Sequence, residues 1–355
     1  MSLLEAADAF GPQGASSAER WPPAIAPRAH PATLVDAFTR QLTYLRLSVT
    51  DFCNFRCDYC LPHGYPGKRP KNELSLPEIR HLLGAFARLG TQKVRLTGGE
   101  PSIRGDLPQI IALARQTPGI AEVAMTSNGY RLERRWQDWC AAGLTHLNLS
   151  VDSFDRQVFA QITGHDVLDG LLAGVDALLA DGRVEVKLNG ILKAQHAEDT
   201  LQAALAYVKD RPVTYRFIEF MQTRHNARLF FREHISGELI RSQLLRDGWQ
   251  LQPRSATAGP AEVYGHADFV GRIGLIAPYR EHFCQSCNRL RVSAQGKVHL
   301  CLFDRVNHDL RPWLQQGDLD ATCAFLLGLM PIKPEHHHLQ AADSGLMANL
   351  SLIGG

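Results

Sequence analysis

Six short β-type runs recur from residue 44 onward, each separated from the next by a longer amphipathic stretch. No other feature limits the fold as much. The runs are YLRLSV (44–49), KVRLTG (93–98), EVAMTS (122–127), HLNLSV (146–151), VEVKLNGI (184–191) and TYRFIEF (214–220). Helical patterns fall near 77–90, 106–117, 133–142, 168–181 and 199–210. Strands that alternate with helices pair in parallel, because parallel neighbours need long crossover connections. Six such units are two short of a closed eight-stranded barrel. The expected fold is therefore α/β, a partial (βα)6 TIM-type barrel, with a C-terminal α+β region closing its open mouth.

Three segments follow. Residues 1–36 carry Pro, Ala, Gly and Ser without periodicity and read as a flexible leader. Residues 37–222 hold the barrel pattern. Residues 223–355 break it: a charged link at 223–233, a helix over 235–247, short strands within 262–303, and helical patterns near 309–316 and 319–330. In barrels of this type, chemistry gathers at the carboxyl ends of the strands. Cys53–Cys60 follows the first run, Gly98-Gly99-Glu100-Pro101 the second and Ser127-Asn128-Gly129 the third. Ser150-Val151-Asp152-Ser153 ends the fourth, Lys187 and Asn189 lie on the fifth, and Arg216, Glu219 and Met221 lie toward the end of the sixth. All are expected on one rim.

Composition matters chiefly for what it excludes. With 45% hydrophobic and 21% charged residues among 355, the chain can bury a sizeable core. No stretch approaches the ~18 consecutive apolar residues of a membrane helix. Net charge is 38 − 36 = +2, so a nucleic-acid-coating role has no support. The cations are 30 Arg and 8 Lys, which favours guanidinium forks around a small anionic substrate.

The eight cysteines form two clusters plus Cys140 and Cys323. Without a basic-then-apolar export signal, clustered thiols indicate metal ligation in a reducing compartment, and the expected location is cytoplasmic. Cys53, Cys57 and Cys60 are spaced C-x3-C-x2-C directly after a strand. Three thiolates can hold a four-iron cube and leave one iron open to a small chelating molecule. Zinc completed by His63 is the alternative. Cys284, Cys287 and Cys301 are spaced C-x2-C-x13-C, again three thiols with no evident fourth. A Cys3His zinc site using His282 or His299 is the alternative there. Arg289 and Arg291 alternate on a strand and so point the same way, which suggests an anion beside this second cluster. Cys140 and Cys323 read as buried helical thiols, and His336-His337-His338 as surface.

C-x3-C-x-Y-C after the first strand, with Gly-Gly-Glu-Pro after the second, resembles the radical S-adenosylmethionine (SAM) enzymes. Within them, YLRLSVTDFCNFRCDYCLP, VRLTGGEPSIRGDL, TSNGYRLE, LNLSVDS, RFIEFM, FCQSCNRLRVSAQGKVHLCLF and the terminal Gly354-Gly355 resemble the GTP 3′,8-cyclase family, from Asp36 to the end. The resemblance implies two [4Fe-4S] clusters, on Cys53, Cys57 and Cys60 and on Cys284, Cys287 and Cys301. It implies SAM contacts by Tyr59, Gly99, Ser150 and Met221, with the Gly-Gly-Glu strand end at the SAM amino group. It implies GTP contacts by Arg46, Arg95, Thr126, Lys187, Arg289, Leu290 and Arg291, and a diglycine tail, Gly354 and Gly355, threaded into the active site. Arg46, Arg95 and Lys187 are expected near strand carboxyl ends, converging on the triphosphate. The implied reaction is a lyase-class cyclisation of GTP to (8S)-3′,8-cyclo-7,8-dihydroguanosine 5′-triphosphate, early in molybdopterin and molybdenum cofactor biosynthesis. The implied partners are GTP, an electron donor and a downstream cyclic pyranopterin monophosphate synthase; a homodimer is compatible with the family. A peptide-modifying radical-SAM enzyme is the nearer rival, a metal-containing binding module the remoter one.

Overall fold

A computed structural model describes residues 33–255, 257–351 and 353. The first half of the chain follows the expected rhythm. Its strands are β1 (Tyr44–Ser48), β2 (Lys93–Thr97), β3 (Glu122–Ser127), β4 (His146–Ser150), β5 (Glu185–Leu192) and β6 (Thr214–Glu219). The intervening helices are α1 (Leu76–Arg88), α2 (Leu107–Gln116), α3 (Leu132–Ala141), α4 (Arg156–Thr163), α5 (Leu168–Asp181) and α6 (Ala197–Lys209). The second half adds α7 (Ala227–Glu233), α8 (Glu238–Arg246), β7 (Gln250–Leu251), β8 (Glu262–Gly265) and β9 (Arg272–Ile276). It ends with β10 (Arg289–Val292), β11 (Lys297–His299), β12 (His308–Asp309), α9 (Arg311–Gln316) and α10 (Leu319–Gly328).

Local chemistry accounts for the helix starts. Ser75 caps α1 in a capping box: its hydroxyl accepts from the Glu78 amide at 3.4 Å, and the Glu78 carboxylate accepts from the Ser75 amide at 2.8 Å. Asp155 starts α4 by accepting from the amides of Gln157 and Val158, both at 2.8 Å, and Gly164 ends it at φ +74°. The sequence reading passes over α4, whose eight residues give barely two turns of periodicity. It also passes over α7, which occupies most of the supposed charged link.

Among the described residues, twelve strands form one open sheet in the order β12-β11-β10-β1-β2-β3-β4-β5-β6-β9-β8-β7. The C-terminal region does not simply lie across the barrel mouth. Instead, β10 pairs in parallel with β1, and β9 in parallel with β6. The parallel series thus runs from β10 through β1–β6 to β9, flanked by antiparallel β11–β12 on one edge and β8–β7 on the other. The sheet is not closed, since β12 and β7 end it without meeting.

Side chains of these strands alternate faces. Leu45, Leu47, Val94, Leu96, Leu147 and Leu149 are fully buried against the helices. The residues between them, such as Arg46, Arg95 and Asn148, face the interior of the curl, which is therefore polar. Gly274 sits beside Arg216 in this lining, where a Cβ would come within 2.5 Å of the Arg216 Cγ. Its bareness leaves room for the arginine. Among the described residues no helix is long and apolar enough to cross a membrane.

Candidate active site

The first cysteine loop leaves β1 and is tied down on three sides. Amides of Arg56 and Asp58 donate to the carbonyls of Thr163 and Ile162 at the end of α4, at 3.2 and 3.0 Å. Asn128 Nδ2 donates to Asn54 Oδ1 at 3.0 Å, and the Phe55 ring stacks on His165 with centroids 4.4 Å apart. Amides of Cys60 and Leu61 close a turn onto the Cys57 carbonyl. The Gly98-Gly99 corner packs on the start of the same loop. A Cβ on Gly99 would lie 2.2 Å from the Phe52 carbonyl oxygen, and one on Gly98, at φ +153°, 2.2 Å from that of Thr50. The glycines were expected to let backbone approach a ligand. They also let two backbone segments approach each other.

Cys53, Cys57 and Cys60 line a cavity of about 150 Å³ together with Gly98, Gly99, Glu100, Ser150, Asp152 and Met221. Glu100 is buried and accepts from the amides of Ser102 and Asn128 and from the Ser127 hydroxyl, at 2.9, 2.6 and 2.7 Å. Burial nonetheless raises its carboxyl above the usual range. Tyr59 lies on the same wall and donates to Asp152 Oδ2 at 3.0 Å; burial brings the Asp152 carboxyl up to about 6. Burial also pushes the Cys57 thiol well up, and Cys60 to about 11 against the pull of the Leu350 and Ser351 amides. Such thiols give up their protons to a metal, not to neutral water.

A second cavity of about 920 Å³ occupies the curl of the sheet. Cys284, Cys287 and Cys301 line it, with Arg46, Arg95, Thr126, Lys187, Arg289 and Arg291. Arg46, Thr126, Asn189, Ile218 and Met221 line both cavities, which therefore adjoin. Arg46, Arg95 and Lys187 are not at carboxyl ends: each is the third residue of its strand. The site reaches down the lumen instead of resting on the rim. The expectation of a single rim is corrected accordingly. Leu290 departs as well, its side chain buried in the core on the face opposite Arg289 and Arg291. His337 is buried, not surface, and its Nε2 lies 3.0 Å from the Pro278 carbonyl oxygen while the ring edges this cavity. Cys140 and Cys323 are buried helical thiols, as expected. Gly354, Gly355 and most of the leader lie outside the described residues.

Sequence reasoning missed Tyr44, Lys93, Glu122 and His146, which line the larger cavity. The signal was available: in most of the parallel runs the alternate residues are largely polar, as in YLRLS, KVRLT and HLNLS, where a sheet buried on both faces would be apolar throughout. The lumen is strongly cationic. Burial, then Arg291 and Arg95, brings Arg46 down to about 9, and burial does the same for Arg216. Burial would raise Tyr44, yet Arg95, Arg46 and Lys93 pull its phenol down to about 7, and Arg95 Nε donates to its oxygen at 2.5 Å. The Nε atoms of Arg289 and Arg291 are buried with no hydrogen-bond partner among the described residues. Crowded, desolvated guanidinium groups of this kind call for an anion.

Both thiol sets fit an iron–sulfur cube. Each offers three cysteines to one cavity, and no three His, Cys, Asp or Glu groups among the described residues converge as around a single ion. A zinc ion would draw thiolates to ~2.3 Å from one point. In a cube each thiolate takes its own iron, so the sulfurs stand farther apart. His63 is exposed and lines neither cavity. Against the effect of burial, Arg289 and Lys333 bring Cys287 down to about 6, ready to ligate as thiolate.

Residues 47–205 match the family model described as Radical SAM superfamily, and residues 213–339 match Molybdenum Cofactor Synthesis C. A GTP 3′,8-cyclase of Actinobacillus pleuropneumoniae serotype 5b is 48% identical over 324 residues, 91% of this chain and 95% of the relative. One from Pectobacterium atrosepticum is 50% identical over 325 residues, covering 91% and 99%. Among solved structures, Streptococcus suis SuiB bound to S-adenosylmethionine superposes with TM-score 0.56 at 11% identity. That match covers 79% of this chain and 65% of SuiB, just under two thirds of its length, and bears on the fold alone. Near-half identity along nine tenths of the sequence, joined to the paired thiol sets and the polar lumen, establishes that the chain belongs to the GTP 3′,8-cyclase family of radical SAM enzymes.

Proposed function

We propose that this chain binds SAM in the smaller cavity and GTP in the larger one. It would convert GTP to (8S)-3′,8-cyclo-7,8-dihydroguanosine 5′-triphosphate, a lyase-class step of molybdenum cofactor biosynthesis. The observation that carries this reading is the shared wall of the two cavities, with a three-thiol set in each. When bound, SAM and the cluster on Cys53, Cys57 and Cys60 would supply, on one electron from an external donor, a radical able to take the ribose 3′-hydrogen; joining C3′ to guanine C8 would then take a second electron and a proton to reach the dihydro product.

The protein's own share is placement and dryness. Gly99, Tyr59, Ser150 and Met221 border the SAM cavity. Arg46, Arg95, Lys187, Arg289 and Arg291 would take the phosphates and base, with Thr126 at the junction; to these the lumen adds Lys93 and Arg216. Leu290 would contribute backbone only. Cys284, Cys287 and Cys301 would hold a second cluster beside the substrate. Met221, Phe303, Met347, Leu350 and Ile353 form an apolar cluster against Cys60 and Cys301, which keeps water from the space between the reactants.

Anaerobic iron and sulfide analysis, followed by incubation with reductant, SAM and GTP, tests this. Roughly eight irons per chain are expected, falling to about four when Cys284, Cys287 and Cys301 become alanine. The triple variant should still cleave SAM and give no cyclised nucleotide. Normal cyclisation by that variant, or SAM cleavage by the native chain with GTP unchanged, would overturn the reading.

A further inference from the structure

At the amino-terminal end of the lumen the first residues of four adjacent strands, β2 to β5, form one chain of polar contacts that ends on Lys187. Lys93 Nζ lies 2.5 Å from Glu122 Oε2. His146 Nε2 stands 3.4 Å from that same oxygen and 3.0 Å from Glu185 Oε2. Glu185 Oε1 is in turn 2.8 Å from Lys187 Nζ. The links are held from outside: Thr257 Oγ1 donates to Glu122 Oε1 at 2.6 Å, and Thr145 Oγ1 is 2.7 Å from His146 Nδ1. All five side chains line the larger cavity.

Two cations deeper in the lumen have no carboxylate partner among the described residues: Arg95 donates to the Tyr44 oxygen and the Met125 carbonyl, and Arg216 to Asn189 Oδ1. Lys93 and Lys187 engage carboxylates at this end, and on another wall Arg280 pairs with Glu262 at 2.6 Å. A lysine is a compact charge on a flexible stem and can change partners by rotation, whereas an arginine fork is geometrically committed. An enclosed space dense in positive charge repels itself when empty. Two carboxylates inside it relieve that repulsion, yet they also repel any anion that enters.

We propose that Glu122 and Glu185, bridged by His146, form an internal counter-ion for Lys93 and Lys187, which the phosphates of a bound nucleoside triphosphate displace. The inference rests on the reading that GTP occupies this lumen. Glu122 and Glu185 are positioning residues: they hold the lysines in the empty enzyme and set the cost of entry for the substrate's charge.

The test uses the anaerobic holoenzyme and its Glu185→Gln and Glu122→Gln variants, with GTP, inorganic triphosphate and guanosine as probes in equilibrium dialysis. Glu185 is half exposed in its side chain, so its amide variant does not depend on a buried charge for folding. Each variant should bind GTP and inorganic triphosphate about three- to tenfold more tightly, bind guanosine as before, and melt earlier without ligand. GTP binding that is unchanged or weaker in both variants would overturn the proposal, as would an equal gain for guanosine. Failure of the unsubstituted holoenzyme to bind GTP would instead defeat the functional reading beneath it.

Discussion

Tyr44 shows how strongly single residues respond to the lumen. Its neighbours Arg95, Arg46 and Lys93 outweigh its burial and bring the phenol from 10 to about 7. The unfolded phenol keeps its proton up to its ordinary value, so across roughly pH 7 to 10 the unfolded chain holds the extra proton. Stability from this group therefore rises with pH over that window and is lost as pH falls through about 7. In the nucleotide-free protein, phenolate absorbance should appear near neutral pH and be missing in Tyr44→Phe, whose stability should gain less between pH 7 and 10. A phenol titrating only near its ordinary value would refute the assignment. None of this could be read from YLRLSV. The run shows a tyrosine and an arginine two places apart, but not the Lys93 and Arg95 that parallel pairing sets beside them.

At the scale of elements, the turn from β2 and the first cysteine loop behave as one unit. Gly99 N donates to the Thr50 carbonyl at 2.8 Å and Glu100 N to that of Phe52 at 2.9 Å, so the two segments are stitched where the glycines have no side chain. Gly99→Ala puts a methyl 2.2 Å from one backbone oxygen and 2.6 Å from another, with no flexible side chain to yield. We expect a loss of about 1–3 kcal/mol in thermal or denaturant unfolding, with iron lost from the first thiol set while the second keeps its own. Full iron content with native stability would count against this account. The cysteine spacing and the Gly-Gly-Glu corner were legible because they are local. Their contact with α4, itself too short to show a period, was not.

The whole molecule depends on segments far apart in sequence coming together. The C-terminal residues Leu350 and Ser351 wall the smaller cavity, and Leu350 packs with Met221, Phe303 and Ile353. A charge placed there has no partner, so Leu350→Asp should release the segment and not be buried with it. SAM binding should weaken by about tenfold in equilibrium dialysis, equivalent to ~1.4 kcal/mol of lost contact, with the barrel's melting little changed. Native affinity for SAM would show that this wall does not matter. Arg40 makes a comparable long connection, donating to carbonyls of Cys284, Glu335 and Pro334 at 3.0, 2.5 and 2.7 Å and so fixing the second cysteine loop to the barrel's start.

Sequence alone determined the chemistry on offer. Thiol spacing, glycine corners and strand–helix alternation are written within a few residues of each other, where backbone geometry and ligand reach act directly. Tertiary structure decided where that chemistry meets. It set β10 beside β1 and β9 beside β6, sank the cations to mid-strand, turned Leu290 into the core and buried His337. Pairing between distant strands depends on fitting apolar faces together across the whole fold, and that fit leaves no mark in any one stretch of the chain.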